Sequence, residues 1–139
     1  MAKKILVASH GKFAGGLQSS IDILTGQGSS LQVINAYLDD SDYTDQIQAF
    51  VDGLQADDQG LVFTDLLGGS VNQRVVNMVM RSGKQEQVFI VSNVNLGTVL
   101  SLLLYPGEIT SEVIDEQIQT AYPQLVRLTQ TDDEEDFFD

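Results

Sequence analysis

Residues at two places in this chain have types that can do chemistry together. His10, the single histidine, stands where the apolar run Ile5-Leu6-Val7-Ala8-Ser9 gives way to Gly11. Asp65 closes a second apolar run, Gly60–Asp65, and Leu66-Leu67-Gly68-Gly69-Ser70 follows it. A neutral imidazole has one nitrogen with a free lone pair. A carboxylate that accepts the N–H of the other nitrogen fixes that tautomer and raises its nucleophilicity. When the ring takes an electrophile it becomes cationic, and the carboxylate stabilises that charge. Glycines ahead of a helix let backbone N–H groups approach an anion closely, and Ser70 can cap the helix or donate its hydroxyl to the same anion. Histidine, carboxylate and anion cradle together point to phosphoryl transfer through phosphohistidine, where positioning and charge stabilisation supply the catalysis. Gly69 and Asn72 are further candidates for phosphoryl contact, and Asn95 for the site's edge.

Taken singly, each of these residues has a plain structural reading. A histidine at a strand end can be incidental, Asp65 can be an ordinary turn residue, and Ser70 a simple cap. Gly11, Gly15 and Gly16 can serve only the turn and close helix packing. Their conjunction depends on elements that bring them together, and the hydrophobic pattern supplies those. Ile5–Ser9 reads as a buried strand, followed by a helix carrying Leu17, Ile21 and Leu24 and closed by Gly26 and Gly28. Leu31–Tyr37 alternates like a strand. An acidic loop, Asp39-Asp40-Ser41-Asp42, leads to a helix with Ile47, Phe50, Val51 and Leu54 on one face. The third strand, Gly60–Asp65, is followed by a helix carrying Val71, Val75, Val76 and Val79, with Gly83 suited to its C-terminal end. Gln87–Ser92 is a fourth strand and Asn95–Tyr105 a fourth helix. Thr110 caps a fifth helix that stops before Pro123, and Leu125–Leu128 is a last short strand.

This alternation predicts an α/β fold: an open, mainly parallel sheet with helices on both faces. In the strand order 2-1-3-4, strands 1 and 3 are neighbours about 4.8 Å apart. His10 and Asp65 then meet at adjacent carboxyl ends, where open sheets bind ligands. One domain is expected over 1–128, with 129–139 as an acidic, disordered tail.

Composition removes other chemistries. The absence of cysteine excludes thiol nucleophiles, disulfides and thiolate metal sites. One histidine makes a catalytic zinc site improbable, and no metal or cofactor is expected. The net charge of −13 offers no basic footprint for nucleic acid. Six of the last eight residues are acidic, and without them the charge is −7. The Asp132–Asp136 run reads as a solvated end. No signal peptide is visible, and the most apolar stretch, Leu96–Tyr105, is shorter than the roughly 20 residues of a membrane span, so a cytoplasmic location is expected. Gly11, Gly15 and Gly16 do not fit the dinucleotide fingerprint, and Arg81-Ser82-Gly83-Lys84 ends a helix where a nucleotide-binding loop would begin one. A response-regulator receiver would need acidic metal ligands where Ser9-His10-Gly11 stands.

The segments Ile5-Leu6-Val7-Ala8-Ser9-His10-Gly11 and Phe63-Thr64-Asp65-Leu66-Leu67-Gly68-Gly69-Ser70 resemble the enzyme IIA domain of the mannose-type bacterial phosphotransferase system. Ser92-Asn93-Val94-Asn95-Leu96 is similar to that family's Asn-bearing segment. The resemblance implies a phosphotransferase. His10 would accept phosphate from the histidine phosphocarrier protein and pass it to a IIB component that serves membrane IIC and IID components in sugar import. It implies Nε2 as the phosphorylated atom, Asp65 on the other nitrogen and Ser70 beside the phosphoryl group. It further implies a homodimer that exchanges the last strand, matched here by Leu125–Leu128. Some relatives place Thr and Trp after the aspartate, where this chain has Leu66 and Leu67. With Phe13, these are either core residues or an apolar rim for partner proteins. Two other readings remain open from the residues. One is the phosphotransferase subunit of a dihydroxyacetone kinase; the other is a non-catalytic module that holds a small anion.

Overall fold

A computed structural model describes residues 2–129. Four parallel strands form one sheet in the order β2-β1-β3-β4. They are β1 (Lys3–His10), β2 (Leu31–Ala36), β3 (Gln59–Thr64) and β4 (Val88–Val91). Between and after them lie α1 (Phe13–Thr25), α2 (Thr44–Asp52), α3 (Ser70–Arg81), α4 (Leu96–Leu104) and α5 (Ser111–Ala121), with one 3₁₀ turn at Gly28–Ser30.

The continuous apolar runs of β1 and β3 exist because both faces of the sheet are covered. Side chains alternate across a strand. Ile5 and Val7 accordingly join Leu61 and Phe63 in a core with α1, α4 and α5. Leu6 and Ala8 join Val62 in a second core with α2 and α3. A strand buried on one face only would show a polar residue at every second place.

Local chemistry sets the helix ends. Ser9 Oγ accepts the N–H of Ala14 at 2.8 Å and so starts α1 from the strand end itself. Gly26 closes α1 in the left-handed conformation (φ 73°). Thr110 Oγ1 caps α5 through the N–H of Val113. The Lys3 ammonium donates to the carbonyls of Leu102 and Tyr105, both at 2.9 Å, and so satisfies the end of α4. Burial lowers the pKa of that lysine.

Three details differ from the sequence expectation. Leu24 and Val76, counted in the apolar patterns of α1 and α3, are exposed. β2 stops at Ala36, and Tyr37 turns out of the strand with φ 67°. Leu125–Leu128, expected as an edge strand, has no secondary structure within the single chain, and its three apolar residues are exposed. A strand is defined by a hydrogen-bonded neighbour, and this segment has none within its own sheet. The acidic run beyond Thr129 lies outside the described residues. Among the described residues, no helix is long and apolar enough to cross a membrane.

Candidate active site

Strand register brings the two halves of the site together. Ala8 pairs with Thr64, so Asp65 leaves β3 alongside the end of β1. Asp65 Oδ2 accepts two hydrogen bonds from His10 at 2.8 Å, one from the backbone N–H and one from Nδ1. Its Oδ1 accepts the N–H of Leu66 at 3.0 Å. Partial burial opposes ionisation of this carboxyl. The backbone and ring hydrogen bonds from His10, together with the histidine's charge, outweigh it and hold the pKa below the usual 3.8. An ionised carboxylate only accepts, so Nδ1 must carry the proton and the neutral ring keeps its lone pair on Nε2.

Nε2 faces Ser70 Oγ at 3.2 Å. The imidazole is 42% exposed while the Asp65 side chain is 13% exposed. The imidazole is thus open to solvent while the carboxylate that holds Nδ1 is largely covered. Ser70 is the first residue of α3, whose N-terminal amides have no acceptors within the helix. The turn before it needs both glycines. Gly68 takes φ 76°, and a Cβ at Gly69 would stand 3.2 Å from Leu66 Cβ and 3.3 Å from its carbonyl. Gly69 is also the close neighbour of the histidine ring, with its Cβ position 3.8 Å from His10 Cε1.

The other candidates sit further back. Asn72 is buried, and its Oδ1 meets the hydroxyls of Thr64 and Ser92 in a closed polar triangle that ties α3 to the ends of β3 and β4. Asn95 caps α4, with Oδ1 on the N–H of Thr98, and donates from Nδ2 to the carbonyl of Ala121. Asn93, in the same segment, takes φ 52° and accepts the N–H of Leu67 at 2.9 Å, which pins the loop after Asp65. Leu66, Leu67 and Phe13 are exposed, so the core alternative does not hold for them.

The sequence reading missed Tyr37. Its ring stacks on His10 with centroids 5.2 Å apart and planes 22° from parallel. Its hydroxyl lies 2.9 Å from Ser70 Oγ and 3.3 Å from the hydroxyl of Tyr43. The hydrogen bond with Ser70 lowers its pKa foremost, helped by Tyr43 and the charge of Arg74. The signal was available: β2 ends beside β1, with Ala36 paired to His10. The strand-end logic that found His10 and Asp65 applies equally to the residue after Ala36. Among the described residues, no cluster of three or more potential metal-binding side chains exists.

The chain matches the family model described as the fructose IIA component of the phosphotransferase system over residues 4–119. Solved structures share the fold. A Klebsiella pneumoniae protein described as a phosphoenolpyruvate-dependent sugar phosphotransferase system permease is 32% identical, with 87% of each chain covered and a TM-score of 0.73. A phosphotransferase IIA protein associated with the fucose utilization operon of Streptococcus pneumoniae is 24% identical over 89% of this chain and 93% of that one, with a TM-score of 0.70. The mannose/sorbose-specific IIA subunit from Enterococcus faecalis is 22% identical over 94% of this chain and 99% of its own, with a TM-score of 0.72. No curated protein sequence matches. With most of its length inside that family model, and with the expected sheet order, this chain belongs to the fructose/mannose-type IIA family of the sugar phosphotransferase system.

Proposed function

We propose that His10 is the phosphate carrier of this IIA component, with Nε2 as nucleophile. The carrying observation is the alignment of Asp65 Oδ2, the imidazole and Ser70 Oγ, with Nδ1 engaged and Nε2 facing outward. The Nε2 lone pair attacks phosphorus in line, the bond from phosphorus to the donor's histidine nitrogen breaks, and an Nε2–P bond forms. The Nδ1 proton stays in its hydrogen bond to Asp65, which balances the positive charge gained by the ring. Ser70 O–H and the first-turn amides of α3 receive the phosphoryl oxygens, supported by the positive end of the helix. Gly69 lets the oxygens approach. Asn72 contributes from behind, holding α3 in place through Thr64 and Ser92. The reaction exchanges one phosphohistidine for another, so it runs in both directions, as a relay requires.

The donor in this reading is the histidine phosphocarrier protein and the acceptor a cognate IIB component, with the membrane components reached only through IIB. The apolar rim of Phe13, Leu66 and Leu67 beside His10 supplies contact area for both partners. A groove of 420 Å3 beside Ser70 is lined by Arg74 and Arg81, with Asp42 paired to Arg74 at 3.3 Å. Their guanidinium groups favour an incoming phosphoryl group in a chain of net charge −13. The exposed Leu125, Val126 and Leu128 support a homodimer in which this segment pairs with a second copy. The test is phosphate uptake. Incubation with phosphoenolpyruvate, enzyme I and the phosphocarrier protein should add one acid-labile phosphate to the wild type and none to His10→Ala. Failure of the wild type to gain phosphate from active upstream proteins would overturn the proposal. Passage of that phosphate to IIB, rather than to a dihydroxyacetone kinase, separates the transporter role from its soluble rival.

A further inference from the structure

Tyr37 adopts a backbone conformation that its type disfavours. At φ 67° it lies in the left-handed region that bulky L-residues rarely enter. A residue stays there only when its surroundings over-determine it. Burial is not the reason, because Tyr37 is 54% exposed. What it contacts is the reactive histidine and that histidine's serine. Behind it stands Tyr43, buried, with the Arg74 guanidinium 4.6 Å from its ring centroid. Burial foremost pushes the Tyr43 pKa up to about 12, so that hydroxyl keeps its proton.

The three hydroxyls of Ser70, Tyr37 and Tyr43 form a chain that begins at Nε2. Ser70 has a single proton to place. Pointed at Nε2, it occupies the lone pair that must attack. Pointed at Tyr37, it leaves the lone pair free. After transfer the requirement reverses: the phosphoryl oxygens need a donor, and Ser70 Oγ then accepts from Tyr37. A group that can both donate and accept is required, which a phenol is and a phenyl ring is not. We propose that Tyr37 is a positioning residue for phosphotransfer, its ring clamping the imidazole and its hydroxyl setting the direction of the Ser70 proton. Before transfer, Ser70 donates to Tyr37 and Tyr37 to Tyr43. After transfer, Tyr43 donates to Tyr37, Tyr37 to Ser70, and Ser70 to the phosphoryl group. Every hydroxyl keeps its own proton throughout, so no charge moves along the chain.

This inference rests on the relay reading, and its test separates the two. Tyr37→Phe keeps the ring and removes the hydroxyl; Tyr37→Leu removes both. Two quantities are measured: the rate of phosphate uptake from the phosphocarrier protein, and the ring-nitrogen chemical shifts of His10 in the unphosphorylated protein. Tyr37→Phe should slow uptake about tenfold, as one hydrogen bond's worth of positioning is lost. Its Nε2 resonance should move toward a hydrogen-bonded value as the Ser70 proton turns to it. Both effects should vanish in a Ser70→Ala background, where no proton remains to direct. Tyr37→Leu should slow uptake further than Tyr37→Phe and also broaden the ring signals. Unchanged nitrogen shifts with a wild-type rate in Tyr37→Phe would overturn the inference. So would an equal loss of rate with and without Ser70, which would mark a merely structural role. A wild type that takes no phosphate would overturn the relay reading and Tyr37's part in transfer with it. The nitrogen shifts would still report the direction of the hydroxyl chain.

Discussion

Asp65→Asn separates charge from shape at the site. The side chain keeps its size, and one oxygen can still accept from the His10 backbone N–H. What disappears is the negative charge 2.8 Å from Nδ1. A unit charge pair at that distance is worth about 1.5 kcal/mol in water and about 6 kcal/mol at the effective dielectric of a protein surface. The imidazole is 42% exposed, which places the working value near the lower bound. About 2 kcal/mol of lost stabilisation for the cationic, phosphorylating ring corresponds to roughly 30-fold slower transfer. With its oxygen on His10, the carboxamide still accepts from both the backbone N–H and Nδ1, so the ring tautomer is kept and the charge alone is lost. The assay is single-turnover phosphate uptake from the phosphorylated phosphocarrier protein, with urea unfolding as a control. Unfolding should shift by no more than about 1 kcal/mol, since the main loss is one partner for the N–H of Leu66. A transfer rate within threefold of the wild type, in a folded protein, would refute the orienting role.

Further outcomes follow from the same geometry. Gly69→Ala should slow transfer while Gly68→Ala mainly costs stability. The first crowds Leu66 beside the His10 ring, whereas the second meets open space at φ 76° and carries only the backbone strain of about 1 kcal/mol; single-turnover rates and urea midpoints for both variants check this. Asn72→Ala should destabilise by about 2 kcal/mol, because it strips the acceptor from two buried or half-buried hydroxyls; an unchanged unfolding curve would contradict the bracing role. Acid should weaken the fold through Asp65. Its folded pKa lies below the unfolded 3.8, so its contribution is present above that value and is lost as pH falls through the lower, folded one. Urea midpoints at pH 6 and pH 3 should therefore fall less in Asp65→Asn than in the wild type. Leu67→Ser should raise the KM for the phosphocarrier protein with an unaltered unfolding midpoint, since Leu67 is 73% exposed.

How much of this was legible in the sequence depends on which physical signal carried each residue. His10 and Asp65 could be found because parallel strands buried on both faces produce continuous apolar runs, and the polar residue that ends each run marks the ligand end of the sheet. Gly68 and Gly69 announced a backbone approach, and the structure gives each a separate cause. Tyr37 stands at a strand end that the same logic covers, but nothing in a tyrosine marks the positive φ that turns it onto His10. In sequence it extends the alternation of β2. Asn72 was found by position, but only packing shows that its side chain turns inward to Thr64 and Ser92. Leu66 and Leu67 could equally have been core residues, since hydrophobicity alone does not separate a buried leucine from an exposed one. Leu125–Leu128 carried a strand pattern that one chain does not realise, because strand formation needs a neighbour as well as a propensity.

The central claim is that Nε2 of His10 carries the phosphate while Asp65 holds Nδ1. Nuclear magnetic resonance of the ring nitrogens in the phosphorylated protein tests it most directly. The account predicts a phosphorus-bonded Nε2 and a protonated Nδ1 whose signal changes in Asp65→Asn. Phosphate on Nδ1, or on any residue other than His10, would contradict it.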